Sequence, residues 1–153
     1  MAYDTIREKI MANILGRIAL IATSTGYNRD YEYTGEWVLN ISEDEIDDYS
    51  PGIFLVDDSQ EVVGIDRAKT EFVLHLTVAI WGAGQDSQQN IRKSIADVYK
   101  CIGEDVTCGG YADDVVPISD TINLVQKDDI YGDAEVKFDI FYACRTWDLE
   151  TSI

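Results

Sequence analysis

The sequence predicts a single α+β domain, a mainly antiparallel β-sheet with a long central strand and two α-helices packed on one face. Three observations carry that expectation. Two stretches repeat apolar residues at helical spacing, and several others alternate apolar and polar residues at period two. At 153 residues, 46% hydrophobic and 10% aromatic, the chain can also build one core, burying about 68–70% of its unfolded surface. No internal repeat or Gly/Ser-rich linker divides it, so residues 1–148 form the expected domain and 149–153 a short free tail.

The first helix follows from Ile6, Ile10, Ile14, Ile18 and Ile21 on one stripe, with Met11 and Leu15 beside them. Thr5-Ile6-Arg7-Glu8 has the form of a capping box, and Ser24-Thr25-Gly26 supplies the stop, giving about five turns. From Tyr31 to Ile41 the period changes to two, with Tyr31, Tyr33, Trp37, Leu39 and Ile41 marking a strand. Five carboxylates then crowd residues 43–48, which no sheet interior would bury, so this stretch is a loop or a short exposed helical turn. Pro51-Gly52 punctuates the chain, and Ile53-Phe54-Leu55-Val56 is a buried strand. Residues 57–69 read as either a hairpin tip or a mobile loop.

Thr70 to Trp81 is the clearest strand, with Phe72, Leu74, Leu76, Val78 and Ile80 on one face. Gly82-Ala83-Gly84 ends it. A second helix starts near Asp86 or Ser87, buries Ile91, Ile95, Val98, Tyr99 and Ile102, and ends at Gly103. Val115 to Val125 forms a strand region interrupted or edged at Pro117. Asp128 to Asp133 is turn chemistry, and Ala134 to Trp147 is the last strand, with Val136, Phe138, Ile140, Tyr142 and Cys144 inward.

Charge narrows the function. With 29 Asp and Glu against 12 Lys and Arg, a formal net charge of −17, the surface cannot grip nucleic acid through phosphates. The carboxylates must be solvated, meet a cationic partner, or keep something negative at a distance. Cys101, Cys108 and Cys144 are odd in number and lack CxxC spacing, which predicts reduced thiols in a cytosolic product. Met1-Ala2-Tyr3-Asp4 has no basic signal-peptide region, and no membrane span is expected.

The residues carry no catalytic constellation, and neither a metal site nor a cofactor is expected. His75, the one histidine, stands mid-strand without an HxH, HxxxH or HExxH partner and reads as structural or partly exposed. Cys101 and Cys144 read as core residues; Cys108, beside Gly109, reads as the most exposed thiol, with no motif to activate it. The paired carboxylates at 47–48, 57–58, 113–114 and 128–129 lack EF-hand spacing and read as solvated turns. Tyr31, Tyr33 and Trp37 lie among Asp30, Glu32 and Glu36, which suits a protein contact better than base stacking.

The layout resembles the tail terminator proteins of long-tailed bacteriophages, the tail completion or minor tail protein U-like family. The matching features are the N-terminal helix before an alternating strand at Tyr31–Ile41 and the Pro-led strand Pro51-Gly52-Ile53-Phe54-Leu55-Val56. A long strand ending in Trp81-Gly82, a helix over Asp86–Ile102 and closing strands ending at Tyr142-Ala143-Cys144-Arg145 complete them, so nearly the whole chain is covered. The resemblance implies a virion protein, assembled in the host cytoplasm, that forms a ring of copies of itself, commonly a hexamer, at the head-proximal end of the tail tube. There it stops polymerisation of the tail tube protein and offers the surface to which head–tail connector or neck proteins join. Such a role needs no active site.

On that reading DNA passes without specific binding, since a carboxylate-lined conduit repels phosphates. Asp57, Asp58, Glu61 and Asp66 would then face the lumen or tube, with Arg67 and Lys69 pairing to an adjacent subunit, and Glu43, Asp44, Glu45, Asp47 and Asp48 would dock a neck protein. The alternatives are an acidic DNA-mimic inhibitor of a DNA-binding protein and another phage neck or connector component.

Overall fold

The computed structural model describes residues 4–37, 51–82, 88–126 and 130–153. Helix α1 (Ile6–Ile18) starts where its sequence says it should, with the Thr5 hydroxyl accepting the Glu8 N–H at 3.1 Å. It is shorter than five turns. After Ile18 the backbone tightens into i→i+3 bonds, Leu20 to Arg17 and Ile21 to Ile18, which buries Ile21 and turns Leu20 outward. Ser24-Thr25-Gly26 closes a separate 3₁₀ turn, Thr23–Thr25, because the Thr25 hydroxyl takes the Leu20 carbonyl at 2.7 Å and Gly26 turns left-handed at φ +91°.

Strand β1 (Tyr33–Glu36) pairs in parallel with β2 (Gly52–Ile65), Tyr33 opposite Gly52 and Glu36 opposite Leu55. The remaining pairings are antiparallel: β2 with β3 (Lys69–Gly82), β3 with β5 (Ile130–Arg145), and β5 with both β4 (Asp114–Gln126) and β6 (Asp148–Ser152). The order β1-β2-β3-β5-β4, with β6 on β5, makes six strands among the described residues. Helix α2 (Gln88–Gly103) turns Ile91, Ile95, Val98, Cys101 and Ile102 inward. These meet the α1 isoleucines and Leu74, Leu76, Val78, Ile80, Val136, Phe138 and Ile140 in one core, so the fold is α+β, mostly antiparallel, with the helices on one face.

Several boundaries differ from the sequence expectation. Residues 57–65 are strand, and the loop shrinks to a turn around Asp66–Ala68. Two bulges, between Val56 and Ser59 and between Val62 and Gly64, break the period-two alternation that would have exposed this strand in the sequence. In the second, a Cβ on Gly64 would stand 2.5 Å from the Glu71 carboxylate. Asp66 closes the hairpin by accepting the N–H groups of Ala68 and Lys69 at 2.7 and 2.8 Å.

Pro117 sits on the edge strand β4 beside a register shift, where its missing N–H costs little. Strand β5 begins at Ile130, inside the expected turn, since β4 pairs with it from Ile130 and β3 joins on the other side from Gly132. The expected free tail is instead strand β6. Its turn is closed by Asp148, which accepts the Glu150 N–H at 3.0 Å and the Thr151 hydroxyl at 2.7 Å, and Trp147 takes φ +65° there. Leu39, Ile41, Asp86, Ser87 and the Asp128-Asp129 pair lie outside the described residues.

Candidate interaction surfaces

Polar groups tie α2 to the 28–31 segment that leads into β1, and α1 to α2. Asp97 on α2 is 1% exposed and accepts three bonds, from the Asn28 N–H at 2.8 Å, the Arg29 N–H at 3.1 Å and the Tyr31 hydroxyl at 2.9 Å. Burial pushes the Tyr31 phenol well above its ordinary pKa, so it stays a donor. The Arg29 guanidinium reaches the Asn90 carbonyl and the buried Ser94 hydroxyl. Arg17 of α1 donates to the Cys101 carbonyl at 2.9 Å and the Ile102 carbonyl at 3.3 Å, satisfying the C-terminal end of α2.

Cys108, expected to be the most exposed thiol, is fully buried. Asp105 accounts for this: its carboxylate takes the N–H groups of Thr107 at 3.0 Å and Gly109 at 2.8 Å, folding Cys108 inward at φ +49° beside Arg17. Burial pushes the Cys108 thiol up to about 11 and raises Cys101 and Cys144 in the same sense. Among the described residues no group of three or more His, Cys, Asp or Glu could hold a metal ion, and no helix is long and apolar enough to cross a membrane.

The face of the sheet away from the helices sets Ser59, His75 and Asp139 side by side on β2, β3 and β5. His75 Nδ1 lies 2.7 Å from Asp139, while Nε2 faces Glu61 at 3.8 Å, and no hydrogen bond joins Ser59 to the ring. An imidazole held between two carboxylates is a cross-strand polar ladder; a triad would need Nε2 on the nucleophile. Farther along, Phe54 is buried under Tyr33, Trp37 and Trp81, with ring centroids 4.8–5.7 Å apart. Beside Trp37 opens a cleft of about 370 Å³, with Asp58, Glu135 and Lys137 among its walls.

A second surface lies at the tip of the β2–β3 hairpin. Val62, Ile65, Phe72, Trp147 and Leu149 border an apolar hollow of about 420 Å³, rimmed by Arg145. Trp147 is 95% exposed.

The candidate lumen residues do not form one patch. Asp57 turns to the helix layer, where Arg7 Nε meets its carboxylate at 2.7 Å and the guanidinium also takes its carbonyl. Asp58 borders the open-face cleft, Glu61 faces His75, and Asp66 is spent on its own turn. Lys69 pairs with Glu71 of its own chain at 3.0 Å, leaving Arg67 exposed at the tip. Glu43, Asp44, Glu45, Asp47 and Asp48 lie outside the described residues.

Charge is distributed unevenly along the chain. Helix α1 carries Arg7, Lys9 and Arg17 against Glu8, and α2 carries Arg92, Lys93 and Lys100 against Asp97, a formal +4. With −17 in all, the rest of the chain carries −21, of which the six described strands hold −9 and the other residues −12. Sequence reasoning missed this unevenness, the Asp97 anchor and the Trp147 patch. The first two had a signal in the polar Ser94 and Asp97 on an otherwise apolar stripe and in the basic composition of both helices. Compared with known proteins, the chain matches no family model and no curated sequence.

Proposed function

We propose that the protein is a structural component of a phage tail, a terminator that closes the tail tube as a ring of identical subunits and presents the joining surface for the head. The observation that carries this reading is the uneven charge, +4 on the two helices against −9 on the six described strands and −12 on the rest of the sequence. A ring of such subunits can turn carboxylates toward passing DNA. The α+β fold with a long β2–β3 hairpin supports it further, since exposed apolar residues such as Val62 and Ile65 near a hairpin tip are what subunit contacts use.

Electron microscopy of virus particles assembled with and without the chain tests the proposal. Without it, tubes of uncontrolled length should accumulate apart from filled heads. Tails of normal length joined to heads in its absence would end the terminator reading.

A further inference from the structure

The core-side face of the sheet continues past the helix layer. On the β2–β3 hairpin Val62 stands opposite Phe72 and Ile65 opposite Thr70, in register with residues that nearer the helices are covered. Beyond α1 and α2 the β2 side of that stripe is bare: Val62 and Ile65 are more than half exposed while Phe72 and Thr70 stay buried, and the turn into β6 adds Trp147 and Leu149. Trp147 adopts a left-handed backbone, uncommon for a bulky residue, with its ring outside the fold. A hollow flanked by an exposed tryptophan and arginine has the composition of a binding hot spot.

The rim says what covers it. Arg145 borders the apolar hollow with no hydrogen bond or close ion pair to a described residue, its charge acting on Asp148 of the neighbouring turn, on a protein of net charge −17. Such a rim takes an acidic partner. A complementary surface exists on the same chain, the aromatic-walled cleft beside Trp37 with Asp58 and Glu135 on its border.

We infer that the hairpin tip docks on the acidic open sheet face of a second copy of this chain, Trp147 entering the Trp37 cleft and Arg145 meeting Asp58 and Glu135. Because the two surfaces differ, the contact is head-to-tail, the kind that closes into rings. It rests on the ring reading and adds which faces meet. Opposite charges flank the apolar centre, so salt weakens the assembly.

Sedimentation velocity of the full chain over a concentration series tests this with Trp147→Ala, Arg145→Glu and the pair Arg145→Glu with Glu135→Arg. Since Trp147 and Arg145 are surface side chains, urea midpoints should match wild type. Each single variant should weaken association at least about tenfold, and the charge-swapped pair should recover part of it. A photo-crosslinking residue at position 147 should join to a peptide of the second copy that borders the Trp37 cleft. Single variants that assemble like wild type, or a crosslink to another surface, overturn the inference and leave the ring reading standing. A wild-type chain that stays monomeric at every concentration, yields no crosslink and leaves tail tubes uncapped overturns both.

Discussion

Removing the carboxylate of Asp97 should be among the costliest single changes in this protein. In Asp97→Ala the two backbone N–H groups of Asn28 and Arg29 and the Tyr31 hydroxyl lose their common acceptor at a site 1% exposed. Three bonds to a charged group, at about 1.5–3 kcal/mol each, set a ceiling of roughly 5–9 kcal/mol. Relaxation of the 28–31 segment admits water to some of these donors and brings the expected loss to about 3–5 kcal/mol. For a chain of this size that is a fall in Tm of roughly 6–20 °C. Asp97→Asn keeps one acceptor but turns an amide donor toward a donor, so it should lose less. Urea unfolding followed by circular dichroism measures both, with m unchanged if only the native state is affected. A loss below about 1 kcal/mol for Asp97→Ala would show that this network does not anchor the helix layer.

The buried thiols should be inert in the native state: a thiol-specific reagent at neutral pH should label Cys101, Cys108 and Cys144 only as the chain unfolds, and rapid native labelling of Cys108 would contradict the buried loop. Acid should weaken the fold through Asp66, Asp105 and Asp148, whose carboxyl pKa values are held below 3.8 chiefly by hydrogen bonds from backbone and hydroxyl donors. Because the unfolded state binds those protons first, their contribution is complete above 3.8 and is lost as pH falls through the folded values. Asp105→Asn should therefore flatten the fall of the urea midpoint between about pH 5 and 2, and an equal or steeper fall would refute this. Deleting residues 148–153 should expose Cys144, which β6 covers, and raise its labelling rate; an unchanged rate would mean that β6 is not docked.

Where a single period ran unbroken, the sequence was legible. Strand β3 and the buried stripes of both helices follow directly from residue spacing, and with them the α+β class. Strand β2 was only half legible, because its bulges put Asp57 and Asp58 in succession and interrupt the alternation. The parallel pairing of β1 was hidden for another reason: four residues have no intrinsic direction, and the partner is chosen by tertiary packing. Strand β6 depends on Asp148 closing a turn onto β5, and Cys108 is buried only because Asp105 folds its loop back. The acidic total could be read at once. Its sorting into basic helices and an acidic remainder became informative only when both helices proved to share one face.

The mass of the particle in solution, with its appearance in negative stain, tests the central claim most directly. A ring of six 17.2 kDa chains, about 100 kDa with a central hole, or caps of that size on tube ends, is the predicted result. A monodisperse 17.2 kDa monomer at high concentration that also leaves tail tubes uncapped would contradict it.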